Sequence, residues 1–255
     1  MLKNDTDLAW ERWGKRDPYF GVLADQKYRR INLEKNKKDF FESGARHILD
    51  VIEDLEKHFG PVSKDSALDF GCGVGRLLVP LAKLFNRVTG LDVSKSMLQE
   101  TSRKLAERGI KNVELLESDD ALSALEEQTF DFIHTVIVLQ HIAPKRGYVI
   151  IKNLLRHLSS NGAFSIHVLI KHDASLVRKI VDFTKYKVPM AYVFFNLLKR
   201  RRIFEPVMEM HQYDVGTLLS IFDTAGFPKV IVKSEQQGRF LSTSFYSKRS
   251  IPPLA

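Results

Sequence analysis

The chain has one cysteine, Cys72, no apolar run near the ~20 residues that a membrane span requires, and no internal repeat. A single cysteine excludes a disulfide framework and suits a reducing compartment. The first residues are polar and of mixed charge, so we expect no signal peptide and a cytoplasmic location. No set of His, Asp and Glu has metal-ligand spacing on one element, and we predict no metal site.

What is present is the composition of a globular protein, with 44% hydrophobic and 27% charged residues. The net charge of +8 is concentrated: residues 171–202 contain nine Lys or Arg against two Asp, a net of +7. Charge concentrated in this way indicates a partner. Residues 185–202 also contain the apolar run VPMAYVFFNLL, closed by KRRR. Three interpretations stay open: core of a cap, an apolar wall for a substrate, or an interfacial helix on anionic lipid.

The stretch ALDFGCGVGR, residues 67–76, has the pattern of a buried strand, a glycine turn and the start of a helix. Gly71, Gly73 and Gly75 crowd one turn, where glycine allows the backbone to approach a ligand closely. Backbone amides and a helix N-terminus then face that ligand. The spacing G-x-G-x-G differs from the dinucleotide fingerprint, and no Lys-Ser/Thr pair follows as in a P-loop.

Three acidic residues end three successive predicted strands. Asp69 closes the first strand, where an ammonium group would be favoured and a pyrophosphate repelled. Asp92 ends the second, where a carboxylate can accept both hydroxyls of a ribose. Asp119 follows the apolar run 113–116 and could receive an adenine amino group. Because the carboxyl ends of parallel strands share one edge of a sheet, the three acids predict one nucleoside-cofactor site.

Through ALDFGCGVGR, LDVSKSML, VELLESDDA and FDFIHTVIVLQHI, the sequence resembles the class I, Rossmann-like methyltransferases that use S-adenosyl-L-methionine (SAM). The resemblance covers residues 40–170 closely and the rest loosely. It implies a seven-stranded sheet with an antiparallel last strand and a helical insertion between strands 5 and 6. Alternating apolar strands and helices independently predict an α/β fold: a doubly wound, mostly parallel sheet with helices on both faces.

The predicted elements divide one domain into four segments. Residues 1–60 form an irregular aromatic arm, which packs on the domain or covers the site, followed by a helix at 33–59. Residues 61–170 form the SAM-binding core, with strands at 66–70, 87–92, 113–117, 130–138 and 163–170 and helices at 75–86, 95–109, 121–127 and 144–162. Residues 171–212 form an inserted cap. Residues 213–255 form a helix at 214–225 and strands at 229–234 and 242–247.

The resemblance also implies cofactor-binding residues. The methionine portion of SAM would lie on the loop of Gly71, Cys72, Gly73 and Gly75, with Cys72 as a small turn residue. Its ammonium group would lie near Asp69 and its ribose on Asp92. Asp119 and the Asp120 amide would frame the adenine, Val93 and Met97 would pack on the adenosine, and Val136 would border the methyl group. Arg76 either reaches the cofactor carboxylate or is a surface arginine.

His141, just after the fourth strand, is the best-placed titratable group, because an unperturbed imidazole pKa suits a general base. Histidine recurs at this place in methyltransferases with many substrates, which favours a structural role in holding the loop. His172, His211 and Tyr213 flank the insertion and are weaker candidates.

These features predict a SAM-dependent methyltransferase acting on a small or lipid-linked, anionic acceptor, with oxygen as the expected methylated atom and nitrogen or carbon still open. One alternative is a non-catalytic SAM-binding adaptor that contacts a membrane through residues 185–202. Another is a nucleic-acid methyltransferase. Residues 135–138 lack the Asn/Asp-Pro-Pro-Tyr/Phe motif of adenine-N6 enzymes, and the apolar residues within the basic segment disfavour a phosphate-tracking groove. The sequence does not decide the acceptor or the oligomeric state.

Overall fold

A seven-stranded sheet lies at the centre of the fold in the computed structural model, which describes residues 5–172 and 208–249. The strands are β1 (Ser66–Phe70), β2 (Arg87–Asp92), β3 (Val113–Glu117), β4 (Phe130–Thr135), β5 (Leu158–His172), β6 (Ile231–Gln237) and β7 (Phe240–Lys248). The helices are α1 (Asp5–Arg16), α2 (Pro18–Leu23), α3 (Leu33–Phe59), α4 (Leu78–Leu84), α5 (Lys95–Glu107), α6 (Pro144–Arg156) and α7 (Val215–Thr224).

The strand order is β3-β2-β1-β4-β5-β7-β6. Strands β1 to β5 pair in parallel, and β7 is antiparallel to both of its neighbours, β5 and β6. The predicted fold class is confirmed. This order brings the carboxyl ends of β1, β2, β3 and β4 to one edge, which is where ligands bind in open α/β sheets.

Both faces of the sheet are covered. Ala67 and Phe132 lie on the face that packs against α3 and α4, while Leu68 and Ile133 lie on the face that packs against α6 and α7. Buried residues on both faces explain why the strands read as continuous apolar runs. Among the helices of the described ranges, none is long and apolar enough to cross a membrane. The predicted cap falls almost wholly on residues 173–207, outside the described ranges.

Two predicted elements are shorter than expected because the backbone takes positive φ beside them. The strand predicted to reach 138 ends at Thr135, and Ile137 has φ 62°. The helix predicted at 121–127 is a single 3₁₀ turn, Ser123–Leu125, between positive φ values at Leu122 and Glu126. Neither an α-helix nor a strand accommodates such values.

Two other predicted boundaries were wrong. The helix expected at 75–86 begins only at Leu78, because the glycine turn extends through Leu77. The helix expected to reach 162 ends at Arg156, and the Phe130 amide donates to the His157 carbonyl 2.8 Å away. That bond pulls the chain into the sheet, so β5 begins at Leu158 instead of 163.

The N-terminal residues are helical, so the prediction of an irregular arm was wrong. Asp17-Pro18 reads as a turn signal, but Pro18 occupies the first position of α2, where its missing N–H costs nothing. Trp13, Tyr19 and Phe20 are buried between these helices and the domain. The aromatic residues therefore form a packed layer.

Helix α1 is attached at the start of α5. The Ser94 hydroxyl donates to Glu11 Oε2 at 2.8 Å, and both the amide and the hydroxyl of Ser96 donate to the same carboxylate. Ser94 also caps α5, since its Oγ accepts from the Met97 amide at 3.1 Å. One serine thus joins the helix cap to the N-terminal layer.

We predict that Ser94→Ala lowers the free energy of unfolding by about 1–2 kcal/mol, because it removes the cap and one bond to Glu11. Ser96→Ala loses only the hydroxyl bond to Glu11 and keeps both its amide bond to Glu11 and the cap, so it should cost less. Urea denaturation of the two variants compares these losses. Equal losses would mean that the cap contributes nothing measurable.

Candidate functional site

The glycine loop between β1 and α4 lies directly against the end of β2. The amides of Gly71 and Cys72 both donate to the Leu91 carbonyl, at 2.8 and 2.9 Å. Gly71 and Gly73 have φ of 77° and 54°, and a Cβ on Gly71 would lie 2.3 Å from Val138 Cγ2. Both the backbone angle and the close approach therefore require glycine at position 71.

A first cavity opens above this loop, at the carboxyl ends of the strands. Its lining includes most of the predicted cofactor residues: Gly71, Gly73, Asp92, Val93, Met97, Asp119, Asp120 and Val136. Asp69, at the end of β1, and the loop residues Cys72 and Gly75 are buried. Burial raises the pKa of the Cys72 thiol, which fits the turn-residue interpretation. The fold brings the three predicted acids to one edge, two of them in the cavity wall.

Asp92 organises the centre of the first cavity. Its Oδ2 accepts from the Gly73 amide and its Oδ1 from the Ser94 amide, each at 2.8 Å. Burial raises its pKa to about 6 although both amides favour the charged form. Each carboxylate oxygen has a second lone pair, so ribose hydroxyls could still donate to it.

The far end of the first cavity is closed by a salt bridge from α6. Arg146 binds Asp120 through Nε at 2.8 Å and Nη2 at 2.6 Å, and its Nη2 lies 3.2 Å from Asp7 Oδ1 in α1. Asp119 Oδ1 accepts from the Ser123 amide at 2.9 Å. The Asp120 side chain therefore binds Arg146, and only its backbone could serve the predicted role.

Helices α1 and α2 form the roof of the first cavity. Thr6, Asp7 and Trp10 from α1 line it, together with Gly21 and Val22 from α2. The Trp10 ring also meets the His141 ring edge-on, with centroids 4.9 Å apart. The N-terminal layer thus covers the site as well as packing on the domain.

A second, wider cavity of about 930 Å³ adjoins the first. Four residues line both: Gly21, Val22, Val136 and Ile137. Ile137 is β-branched at φ 62°, a strained conformation of the kind that clusters at functional sites. Its amide donates to His167 Nδ1 at 3.3 Å. Sequence reasoning missed Ile137, because positive φ at isoleucine leaves no signal in the sequence.

His141 is held on both sides of its ring. Nδ1 lies 2.6 Å from the Glu209 carbonyl and so donates to it, while Nε2 lies 3.2 Å from Gln140 Nε2 and accepts from it. Burial lowers its pKa to about 4. With both nitrogens occupied, the geometry favours the loop-holding interpretation. The weaker candidates also bind locally, since Tyr213 donates to the Ile142 carbonyl and His211 lies 3.0 Å from Glu209 Oε2.

Arg76 lies in the wall of the second cavity and is only 6% exposed. Gly44 lets α3 pack onto it, because a Cβ there would lie 2.4 Å from the Arg76 carbonyl oxygen. Among the described residues, Arg76 Nε has no hydrogen-bond partner, and neither has Asp69 Oδ2. A buried cation and a buried carboxylate with unmet hydrogen bonds fit a ligand that carries both charges, such as an amino acid group.

Comparisons with known proteins agree with this geometry. Residues 67–162 match the family model described as methyltransferase domain. Residues 67–162 are thus similar to a methyltransferase domain. The fold of this chain matches magnesium protoporphyrin IX methyltransferase from Synechocystis PCC 6803 at TM-score 0.61 and 16% identity, covering 95% of this chain and 99% of that one. A SAM-dependent methyltransferase from Clostridium acetobutylicum matches at TM-score 0.57 and 14% identity, covering 82% and 92%.

Curated relatives of this chain are more similar to it in sequence, but the matches cover less of each chain. Ubiquinone biosynthesis O-methyltransferase from Rickettsia felis is 25% identical over 169 residues, 66% of this chain and 61% of the relative. Aklanonic acid methyltransferase from Streptomyces sp. is 29% identical over 109 residues, 42% and 44% of the two chains. The chain spans about half to three fifths of the length of the curated relatives it first matches.

The structure also contains three histidines that sequence reasoning missed: His134, which is buried, and His47 and His167, which are half-buried. Burial lowers the pKa values of His47, His134 and His167 to about 2, 3 and 4. A histidine within the apolar run of β4 was the available signal, since a buried strand rarely contains one without a partner.

We predict that the ligand-free protein loses stability as the pH falls from 8 to 5. A histidine in the unfolded chain takes up a proton near pH 6.5, whereas the three histidines named above and His141 stay neutral in the folded protein. Below pH 6.5, each of them therefore lowers the free energy of unfolding by about 1.4 kcal/mol per pH unit. Burial raises the pKa of Asp69 to about 7 and of Asp92 to about 6, which stabilises the fold on acidification, but two acids do not offset four bases.

Thermal unfolding at several pH values measures this slope. Because His167→Gln removes one of the four bases, its melting temperature should depend less on pH than that of the wild type. Asp69→Asn removes an opposing acid, so its dependence should be steeper. Slopes that shift in the same direction in both variants would contradict the assignment.

Proposed function

We propose that this chain is a SAM-dependent methyltransferase. One observation carries the proposal: the glycine loop and Asp92 line a cavity that adjoins a second one, whose wall includes the buried Arg76, and Arg76 Nε has no hydrogen-bond partner among the described residues. These features fit the two ends of one molecule, a nucleoside and a zwitterionic amino acid. The comparisons support this reading, since the cited fold neighbours include a methyltransferase solved with S-adenosylhomocysteine (SAH).

In this proposal the cofactor spans both cavities. The ribose binds Asp92, and the adenine lies toward Asp119 and the Asp120 backbone, between Val93 and Met97. The methionine carboxylate binds Arg76, and the ammonium group lies near Asp69. The sulfonium then lies where the two cavities meet, beside Val136 and Ile137.

The bound cofactor supplies a methyl group activated by a sulfonium leaving group. The protein's own contribution is then mainly orientation, and well-oriented groups can gain about 7–11 kcal/mol. Ile137 and Val136 form the wall beside the reacting centre, and the N-terminal helices exclude water above it. We assign His141 a positioning role, because its ring ties the loop after β4 to Glu209.

Helices α1 and α2 act as a lid in this proposal. Their polar contacts to the domain are Glu11 to Ser94 and Ser96, Tyr19 to Glu100, and Asp7 to Arg146. Their aromatic residues pack in a hydrophobic cluster separate from the two clusters on the sheet faces. The layer can therefore open without exposing the core on the sheet, which a cofactor would need for entry.

We propose a small-molecule acceptor in the second cavity, methylated at oxygen. The cited relatives bear the names of ubiquinone and aklanonic acid methyltransferases, both with small-molecule substrates. The cavity wall combines apolar side chains such as Leu169, Met210 and Phe240 with polar ones such as Lys233 and Gln140. Such a wall suits an acceptor with an apolar body and polar substituents. We also propose that this acceptor is anionic or lipid-linked, on the basis of the basic apolar segment at 185–202.

We predict that Arg76→Met weakens SAH binding about 10- to 150-fold, the loss expected for a charged hydrogen bond. Binding of 5′-methylthioadenosine should stay within about twofold of wild type, because that molecule lacks the amino acid group. Isothermal titration measures both affinities. Equal losses for the two ligands would contradict the placement of the carboxylate.

A companion variant tests the ribose site. Asp92→Asn should weaken both SAH and 5′-methylthioadenosine, since both contain the ribose. The matched control is Asp65→Asn, an exposed acid just before β1, which should change neither affinity. If wild-type protein does not bind SAH, the proposed function fails.

We predict that the protein sediments with vesicles containing anionic phosphatidylglycerol. Replacing Lys199, Arg200, Arg201 and Arg202 by alanine should release it, because each basic residue near such a surface contributes about 1 kcal/mol. The control removes four exposed basic residues of α3 instead: Lys35, Lys38, Arg46 and Lys57. If wild-type protein stays in the supernatant, the lipid-linked proposal is wrong and a soluble acceptor remains.

A further inference from the structure

Two buried side chains, Asp69 and His134, and the half-buried His47 form a series of hydrogen-bonded groups that runs from the glycine loop to the second cavity. Asp69 and His134 are paired positions on the neighbouring strands β1 and β4, with Asp69 Oδ1 3.3 Å from His134 Nδ1. His134 Nε2 lies 3.0 Å from Nε2 of His47 in α3. The two rings meet edge to face at 75°, with centroids 5.1 Å apart, and His47 lines the second cavity.

The short contact between the two Nε2 atoms couples the histidines. One proton must lie between those nitrogens, so when one ring carries a proton on Nε2 the other must accept with its own. Burial keeps both rings neutral, with the pKa of His47 lowered to about 2 and that of His134 to about 3. Each neutral ring has one proton, so the two tautomers change together.

The protonation state of Asp69 determines the direction of both hydrogen bonds in this series. As a carboxylate it can only accept, so His134 carries its proton on Nδ1 and His47 carries its proton on Nε2. The Nδ1 atom of His47 is then left with a lone pair. When Asp69 is protonated, its hydroxyl donates to His134 Nδ1, every proton in the series shifts over, and His47 Nδ1 becomes a donor.

We propose that Asp69, acting through His134, holds His47 in the tautomer with an unprotonated Nδ1 at the wall of the second cavity. There His47 accepts a hydrogen bond from a hydroxyl or amine group of the methyl acceptor. His134 and Asp69 are positioning residues, and His47 contacts the acceptor. This inference rests on the proposed function only for the nature of that ligand.

The surroundings support this arrangement. Arg76 and His167 are the other groups that face the two histidines, and the Arg76 charge disfavours a second proton on either ring. Around Asp69 lie Arg76, Asp92 and the Cys72 thiol. No further acid among the described residues hydrogen-bonds to the two rings. Asp69 is therefore the acid that determines which nitrogen of each ring carries the proton.

We call this coupled protonation of Asp69, His134 and His47 the relay. Nuclear magnetic resonance of protein labelled with ¹⁵N-histidine tests it. Long-range spectra distinguish a protonated ring nitrogen from a bare one, and His47→Gln and His134→Gln assign the signals. In wild-type protein at about pH 8.5 we expect a bare Nδ1 on His47 and a bare Nε2 on His134. Both rings should exchange tautomers together as the pH falls to about 5.5, without either becoming doubly protonated.

Asp69→Asn should abolish this pH dependence, because the amide does not titrate in that range. The control is His58→Gln, an exposed histidine on the same helix, which should leave it unchanged. Amide spectra and thermal unfolding verify that each variant is folded. A doubly protonated ring, a protonated His47 Nδ1 at high pH, or an unchanged pH dependence in Asp69→Asn would overturn the relay.

Two ligand additions complete the test. SAH should move the tautomer exchange to lower pH by about one unit or more, because its ammonium group favours ionised Asp69. Phenol, which has a hydroxyl donor, should shift the His47 Nδ1 signal, whereas anisole should not. A shift of equal size with both, or none with phenol, would overturn the acceptor contact. If SAH does not bind, the proposed function fails while the tautomer result still stands.

Discussion

The site depends on one backbone contact: the loop after β1 lies against the end of β2 with no side chain between them. The Leu91 carbonyl accepts from two successive loop amides, and Asp92 accepts from a third, that of Gly73. These bonds fix the loop as the floor of the first cavity. Val138, in the loop after β4, also packs closely against Gly71, and a Cβ at Gly71 would collide with it. The position of the loop after β4 therefore also requires glycine at position 71. The floor of the first cavity and part of its wall therefore rest on one constraint.

A second theme is the burial of ionisable groups without full hydrogen bonding. Asp69 and Arg76 both lie inside the domain, and each leaves a polar atom unpaired among the described residues. Burying such groups costs stability, which a domain retains only where they serve a ligand or a specific arrangement. Their position on the face covered by α3 links the strand edge, the arginine and the two histidines into one polar layer beneath the second cavity.

The N-terminal helices connect the site with the rest of the domain. Their aromatic residues pack as core, yet α1 also roofs the first cavity and touches the ring of His141. The N-terminal layer thus both packs on the domain and covers the site. The two predicted roles of this segment, packing on the domain and covering the site, are therefore compatible.

The sequence by itself determined the sheet, its mostly parallel pairing and the glycine loop, because apolar periodicity and glycine spacing are local patterns. It also placed Asp92 and Asp119 at one edge, since strand ends meet there in any parallel sheet. The N-terminal helices and the ends of β4 and α6 were not predictable in this way, because packing and positive φ at Ile137 decided them.

Only the tertiary structure decided what the histidines and Arg76 do. His47 and His134 are 87 residues apart, and nothing local indicates that their rings meet. Arg76 is buried because Gly44, 32 positions earlier, lets α3 pack onto it. Contacts between distant elements depend on how helices dock on the sheet, and that docking is a property of the whole fold.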